Sequence, residues 1–280
     1  SEYIYGLTNP CYLKTIKSNF IDFDGFGGFK LGTLTIIASR PSMGTTTFAL
    51  NLAENIAINQ NIPLAYFSLE GRGEDCVTSI LNSLVNIDKR KFISRQFSHE
   101  EVLLLKNAAL TINQSPLYFS SSTVASIYEL CERIEKLKIE RDIKMVIIDY
   151  VQLIPTACLK KNDYSIALSE VTCTLQQLAL KLGIAIIALS QVSGKVCNRR
   201  NKRPRLVDLR MDGDLEQAAS VVIFLYRDSI YQEKYEPDKD RVEFLFAKNK
   251  FGLLGKVLMR FNSQYSKFET LSPDEQIPQY

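Results

Sequence analysis

The stretch that most constrains this chain is Leu34 to Leu52, LTIIASRPSMGTTTFALNL. It opens on an apolar run, Leu34 to Ala38, of the kind a buried parallel strand needs. From Thr46 onward Phe48, Leu52 and Ile56 fall on one helical stripe. Between them lies Ser39-Arg40-Pro41-Ser42-Met43-Gly44-Thr45-Thr46. Strand, loop and helix in that order create a nest of backbone N–H groups and a helix N-terminus, which together hold anions.

The phosphate-binding pattern for such a loop is G-x-x-x-x-G-K-[S/T]. Ser39 takes the place of its first glycine, Gly44 is the second, and Thr46 supplies the hydroxyl for Mg²⁺. Thr45 stands where the lysine belongs. An ordinary strand–turn–helix explains this stretch alone equally well, so the rest of the chain must decide.

With 280 residues, 46% of them hydrophobic and 23% charged, the chain suits one large domain or two small ones. Its apolar runs are all shorter than the roughly 18 residues of a membrane span. It begins at Ser1, without Met, which suggests a fragment cut from something longer. A net charge of +3 argues neither for nor against nucleic acid. Six cysteines without C-x-x-C spacing and a single histidine disfavour structural zinc and fit free thiols.

Residues 1–30 read as a loop-rich lead-in with no core of its own, and residues 273–280 as a tail. Between them, 31–272 alternates strands and helices. Leu64 to Ser68 is a strand that delivers Glu70 just past its C-terminal end, where open α/β sheets keep their chemistry. A glutamate favoured by a helix N-terminus is the plainer account. Residues 74–87 and 99–112 are expected helices, the second with Val102, Leu105 and Ala109 on one face. A short strand, Leu117 to Phe119, precedes a helix carrying Ile127, Leu130, Ile134 and Leu137. Lys144 to Tyr150, KMVIIDY, is a buried strand that ends in Asp149, the arrangement in which a carboxylate holds Mg²⁺ or its water. An aspartate at a strand-end turn is the alternative.

Leu159 to Asp163 reads as a polar loop, and Leu168 to Leu182 as a helix that turns at Gly183 into the strand Ile184 to Leu189. That strand is followed by Gln191, either a γ-phosphate sensor or a satisfied loop amide. Lys195, Arg199, Arg200, Lys202, Arg203, Arg205 and Arg210 then make a basic stretch. A solvated loop is the usual meaning of such a run; its position past a strand end adds weight to phosphate-backbone contacts, and it has no interleaved aromatics for base stacking. Val221 to Tyr226, Val242 to Ala247, Lys256 to Phe261 and Gln264 to Phe268 read as late strands, the last two as a hairpin-like pair. The pattern predicts an α/β, RecA-like P-loop NTPase core: a mostly parallel twisted sheet flanked by helices, with antiparallel edge strands.

Taken in order, these segments resemble the C-terminal RecA-like motor domain of the DnaB family of hexameric replicative helicases. The resemblance runs from about Phe20 to Phe268. It is carried by ASRPSMGTTTFALN (38–51), PLAYFSLE (63–70), VIIDYVQLI (146–154), ALSQVS (188–193), RPRLVDLR (203–210), GDLEQAASVVIFLYRD (213–228) and AKNKFGLLG (247–255). It implies that Ser39, Arg40, Pro41, Ser42, Met43, Gly44, Thr45, Thr46 and Thr47 cradle ATP. Thr46 and Asp149 would hold Mg²⁺, Glu70 would polarise the attacking water, and Gln191 would couple the γ-phosphate to DNA loops. Lys248 and Lys250 would reach into a neighbouring subunit's site, and Arg199, Arg200, Arg210 and Gly213 would meet single-stranded DNA. The implied partners are a hexameric ring of this chain, primase and a helicase loader, with no membrane. The implied setting is a bacterial or phage cytoplasm, or an organelle such as a plastid.

The departures carry weight. Thr45 replaces the P-loop lysine, Lys250 stands at the arginine-finger position, Met211 and Asp212 alter the DNA loop, and Gly71-Arg72 follow Glu70. A charge-assisted hydrogen bond is worth about 1.5–3 kcal/mol, so losing the lysine costs at least about tenfold. An arginine finger is worth about 10³–10⁵ in rate, and lysine cannot copy its fork. A catalytically weak DnaB-like binding or ring-assembly protein is therefore the alternative function, and a RecA-like recombinase a more distant one.

Overall fold

The computed structural model describes residues 14–121, 123–155, 164–210, 215–231 and 240–272. The expected loop at Leu159 to Asp163, the altered Met211 and Asp212, Gly213 and the side chain of Arg210 lie outside the described residues.

Among the described residues, nine strands form one sheet, in the order β11-β10-β9-β8-β3-β7-β6-β4-β5. β3 (Leu34–Ser39), β4 (Leu64–Ser68), β5 (Leu117–Ser120), β6 (Met145–Asp149), β7 (Ala185–Gln191) and β8 (Val221–Tyr226) pair in parallel. β9 (Arg241–Asn249), β10 (Gly255–Asn262) and β11 (Lys267–Thr270) continue the sheet antiparallel. β1 (Thr15–Ile16) and β2 (Phe29–Lys30) make a separate ribbon. This is the RecA-like layout that the alternating segments predict.

The central strands are apolar on successive residues because both faces are covered. In β3, Ile37 points into one core while Ile36 and Ala38 point into the other. The first core is roofed by α2 (Thr45–Ala53), through Phe48, Leu50 and Leu52. That helix runs on as a π-helical turn, Glu54–Asn59. The second core is roofed by α6 (Ile127–Arg141), through Leu130 and Ile134, and by α7 (Tyr164–Leu182), through Val171 and Leu175.

Three features add to or depart from the sequence expectation. Among the described residues of the lead-in, Phe20 and Phe23 join the main core. Phe20 stacks on Phe48 at 5.7 Å, and Phe23, on the short α1 (Ile21–Asp24), lies 5.1 Å from Phe246. The helix expected at 99–112, α5 (His99–Gln114), is closed at its start by a Ser98–Glu101 capping box but buries none of its residues. It follows α3 (Gly73–Val85) and the short α4 (Lys89–Ser94) at the β5 edge, and Ile112 supplies its packing against the core. Val102, Leu103, Leu104 and Leu110 are exposed. Helical spacing marked an apolar stripe there, but a helix at a sheet edge has only a narrow surface to cover. The last strand also begins later than expected, at Lys267, because Gln264 sits in a turn whose backbone bonds to the Asn262 side chain.

Candidate nucleotide site

Parallel pairing brings the C-terminal ends of β3, β4, β6 and β7 to one edge, where ligands of open α/β sheets bind. A cleft of about 350 Å³ opens there. Ser39 through Thr47 line it without a gap, together with Glu70, Asp149, Tyr150 and Gln191. Four segments widely separated in sequence thus meet at one place. The loop reverses through Ser42 at φ +69° and Gly44 at φ +99°. Left-handed backbone at residue 44 favours glycine, and an added Cβ would also lie 3.2 Å from the Phe268 ring. α2 begins at Thr45, so its first-turn N–H groups face the cleft region.

Asp149 is 3% exposed. Burial pushes its carboxyl above the ordinary range; hydrogen bonds from Tyr66 and Thr46 oppose the rise, and Glu70 nearby adds to it. The Tyr66 hydroxyl donates to Asp149 Oδ2 at 2.8 Å. Tyr66 is fully buried and its phenol is pushed well up by that burial first, then by Asp149, so it stays a protonated donor. Sequence reading passed over Tyr66, because a tyrosine inside an apolar strand looks like core. Its signal was register: Tyr66 pairs with Ile147, two residues before Asp149.

At the lysine position, the Thr45 hydroxyl is hydrogen-bonded to the Ser39 hydroxyl, which also donates to Arg40 O at 2.8 Å. The two positions that break the P-loop pattern therefore partner each other. Arg40 lines the cleft, and its guanidinium donates to Val192 O at 2.9 Å.

Lys248 and Lys250 are not among the residues lining this cleft. They lie at the end of β9, where Lys248 Nζ donates to Glu216 O, on the short α9 (Leu215–Ala218), and Lys250 is exposed. Burial, then the charge of Lys250, lowers the pKa of Lys248.

The basic stretch divides into braced and exposed cations. Arg199 donates to Asp208, in α8 (Val207–Arg210), at 2.7 Å and to Arg203 O at 3.1 Å. Arg203 makes a forked pair with Glu243 at 2.7 and 2.8 Å and stacks 4.6 Å over Tyr226. Lys195, Arg200 and Arg205 are exposed. Among the described residues no cluster of three or more His, Cys, Asp or Glu could hold a metal, and no helix is long and apolar enough to cross a membrane.

Comparison with known proteins agrees with this geometry. The model of the DnaB-like helicase C terminal domain matches residues 15–270. A probable replicative DNA helicase of Trieres chinensis is 35% identical over 260 residues, 91% of this chain and 57% of that protein. The replicative DNA helicase DnaB of Geobacillus stearothermophilus is 34% identical over 267 residues, 94% of this chain and 59% of its own. The chain thus spans a little over half the length of these curated relatives. A solved DnaB-like replicative helicase, studied with its interactions with primase, superposes with a TM-score of 0.85 at 32% identity, over 92% of this chain and 62% of that one. A solved ATPase domain superposes at 0.86 and 31% identity, over 97% and 96% of the two chains. With the fold, the cleft and these matches in agreement, the chain belongs to the DnaB-like helicase C-terminal domain family.

Proposed function

We propose that this chain is the motor domain of a replicative DNA helicase, coupling ATP hydrolysis to movement along single-stranded DNA and to duplex unwinding at the fork. The observation that carries the reading is the convergence of Ser39–Thr47, Glu70, Asp149 and Gln191 on one cleft. The loop N–H groups and the start of α2 would hold the phosphates. The donor set fits Mg²⁺, since the Thr46 hydroxyl and Asp149 carboxylate are hard oxygens, and Mg²⁺ usually takes one or two carboxylates plus substrate phosphates. Bound there, the ion would neutralise charge developing on the phosphates. Glu70 would orient and polarise the attacking water, and Gln191 would sense the γ-phosphate.

Lys248 and Lys250 lie outside their own chain's cleft, which supports service to a neighbouring copy in a ring, as in the hexamers of the family. Arg200, Arg210 and Gly213 would meet the DNA backbone, with Arg199 shaping the loop that presents them. Residues 31–272 would form the motor, with residues 14–30 packed into it. Primase and a helicase loader would be partners, in a bacterial or phage cytoplasm or an organelle stroma.

The Ser39–Thr45 pair favours a second reading, a DnaB-like DNA-binding or ring-assembly protein with weak turnover. Steady-state ATPase rates with and without single-stranded DNA, beside Thr45→Lys, separate the two. Ordinary, DNA-stimulated turnover by the native chain supports the motor. Silence that Thr45→Lys relieves supports the second reading.

A further inference from the structure

We propose that Gln152 is a positioning residue that ties Gln191 to the turn after Asp149, so that a pull on Gln191 from the cleft passes into the basic segment. The inference rests on the cleft being the ATP site. The β6–β7 ladder pairs its last residues at Ile148 and Ala188. Beyond that point β6 pairs only with β4, at Asp149, and then turns away through Tyr150 and a 3₁₀ turn at Val151–Leu153. β7 runs on to Gln191, which keeps a partner on one side, Ser39 of β3, with Val192 N donating to Ser39 O at 2.8 Å. On the other side no β6 backbone reaches it.

The Gln152 side chain takes that place. Its Nε2 donates to Gln191 O at 3.1 Å and to Ser190 Oγ at 2.8 Å, and its Oε1 accepts from Gln191 N at 3.3 Å. A primary amide presents a donor and an acceptor on one plane and so substitutes for a strand's peptide group. Glutamate keeps the acceptor and loses both donors. Leucine has a similar size and neither.

The consequence is mechanical. Gln191 is held between the end of the P-loop strand and the turn two residues past Asp149. Its chain continues through Val192, whose carbonyl accepts from Arg40, into the 3₁₀ turn Gly194–Asn198 and the basic stretch. With both flanks pinned, displacement of the Gln191 side chain is passed along the chain to that stretch. Without Gln152, the strand end can swing and absorb it.

The test uses the 280-residue chain with Gln152→Leu and Gln152→Glu. Binding of a fluorescent ATP analogue is expected to stay within about twofold, because Gln152 does not line the cleft. The kcat of DNA-stimulated hydrolysis is expected to fall about tenfold or more in Gln152→Leu, with KM for ATP within about twofold. Gln191→Ala combined with Gln152→Leu should lose no more than the larger single loss, as residues acting as a unit do. Amide exchange supplies a readout that needs no turnover. In the native chain, a non-hydrolysable ATP analogue should change protection across 191–199, and Gln152→Leu should abolish that change.

Native-like kcat in Gln152→Leu overturns the proposal. So does additive loss in the double variant, or a loss matching the fraction of variant unfolded. If the native chain binds nucleotide but does not turn it over, the motor reading fails and exchange alone decides. A nucleotide-dependent change that Gln152→Leu keeps, or that the native chain lacks, then sinks the coupling.

Discussion

Tyr66→Phe removes one oxygen from the middle of the protein and tests how Asp149 is kept charged. The ring stays, with its tilted contact on Phe119 at 5.1 Å, so no apolar area is lost. What goes is a hydrogen bond of 2.8 Å to a carboxylate that is itself 3% exposed. Such a bond to a charged acceptor is worth about 1.5–3 kcal/mol, and at about 2 kcal/mol the folded-to-unfolded ratio falls about thirtyfold. The sign with pH follows from the direction of the shift. Asp149 has a folded pKa above its ordinary 3.8, mainly through burial. Its favourable contribution is therefore complete below 3.8 and is lost as pH rises through the folded value. Removing the tyrosine donor moves the folded value further up and deepens that loss. Urea unfolding of the native chain and Tyr66→Phe is then expected to differ by about 1.5–3 kcal/mol at pH 8. The difference should shrink to about 1 kcal/mol as the carboxyl becomes protonated in acid and a neutral bond is all that is missing. A difference that is flat with pH, or grows in acid, refutes the view that Tyr66 supports the charged form of Asp149.

Thr45→Lys should tighten binding of a fluorescent ATP analogue about tenfold to a hundredfold, the worth of one charge-assisted bond; unchanged or weaker binding would mean another cation already serves the phosphates. Arg199→Ala and Arg200→Ala should separate in kind. The first breaks the half-buried pair with Asp208 and should lower stability by about 1–3 kcal/mol in urea melts. The second should leave stability within about 0.5 kcal/mol and weaken single-stranded DNA binding in fluorescence anisotropy, reducing its salt slope by about 1. Asn51→Ala removes the acceptor for Phe268 N at 2.7 Å and the donor to Ser266 O at 3.1 Å. With those backbone groups left unpaired, unfolding should be easier by about 2–4 kcal/mol, and a loss under 0.5 kcal/mol would show that the terminal hairpin is held by its phenylalanines alone.

The sequence was most legible where one local rule governs several residues at once. Apolar runs such as MVIID and AIIAL, short and rich in β-branched residues, read as strands buried on both faces, and the order in which they alternate with helices leaves few topologies. Strand ends then mark where a cleft opens, and Glu70, Asp149 and Gln191, each at or just past a strand end, line the same one. Legibility failed where a residue's partner is remote. Phe20 and Phe23 sit among glycines and aspartates, and nothing local says that they stack into a core with Phe48 and Phe246. α5 shows the reverse error, since its apolar spacing is real while its position at the β5 edge leaves little to bury against. In the basic stretch, charge alone could not separate Arg199, braced by Asp208, from the exposed Arg200.

The P-loop departures bring both lessons together. Compared residue by residue with the pattern, Ser39 and Thr45 are two separate defects, each of which weakens the match. In the structure they are one feature, because their hydroxyls bond to each other across the loop. A lysine at residue 45 would project an ammonium over the phosphates; the threonine instead spends its hydroxyl on closing the loop upon itself. The loop is thereby closed on itself without the lysine's charge, and Arg40 is the cation that remains in it. Shape alone still presents backbone N–H groups and a helix N-terminus, which favour an anion by a fraction of what a full positive charge supplies. For that reason nucleotide binding should survive the substitution better than catalysis, and the rate of hydrolysis, more than affinity, is the quantity on which motor and assembly protein diverge.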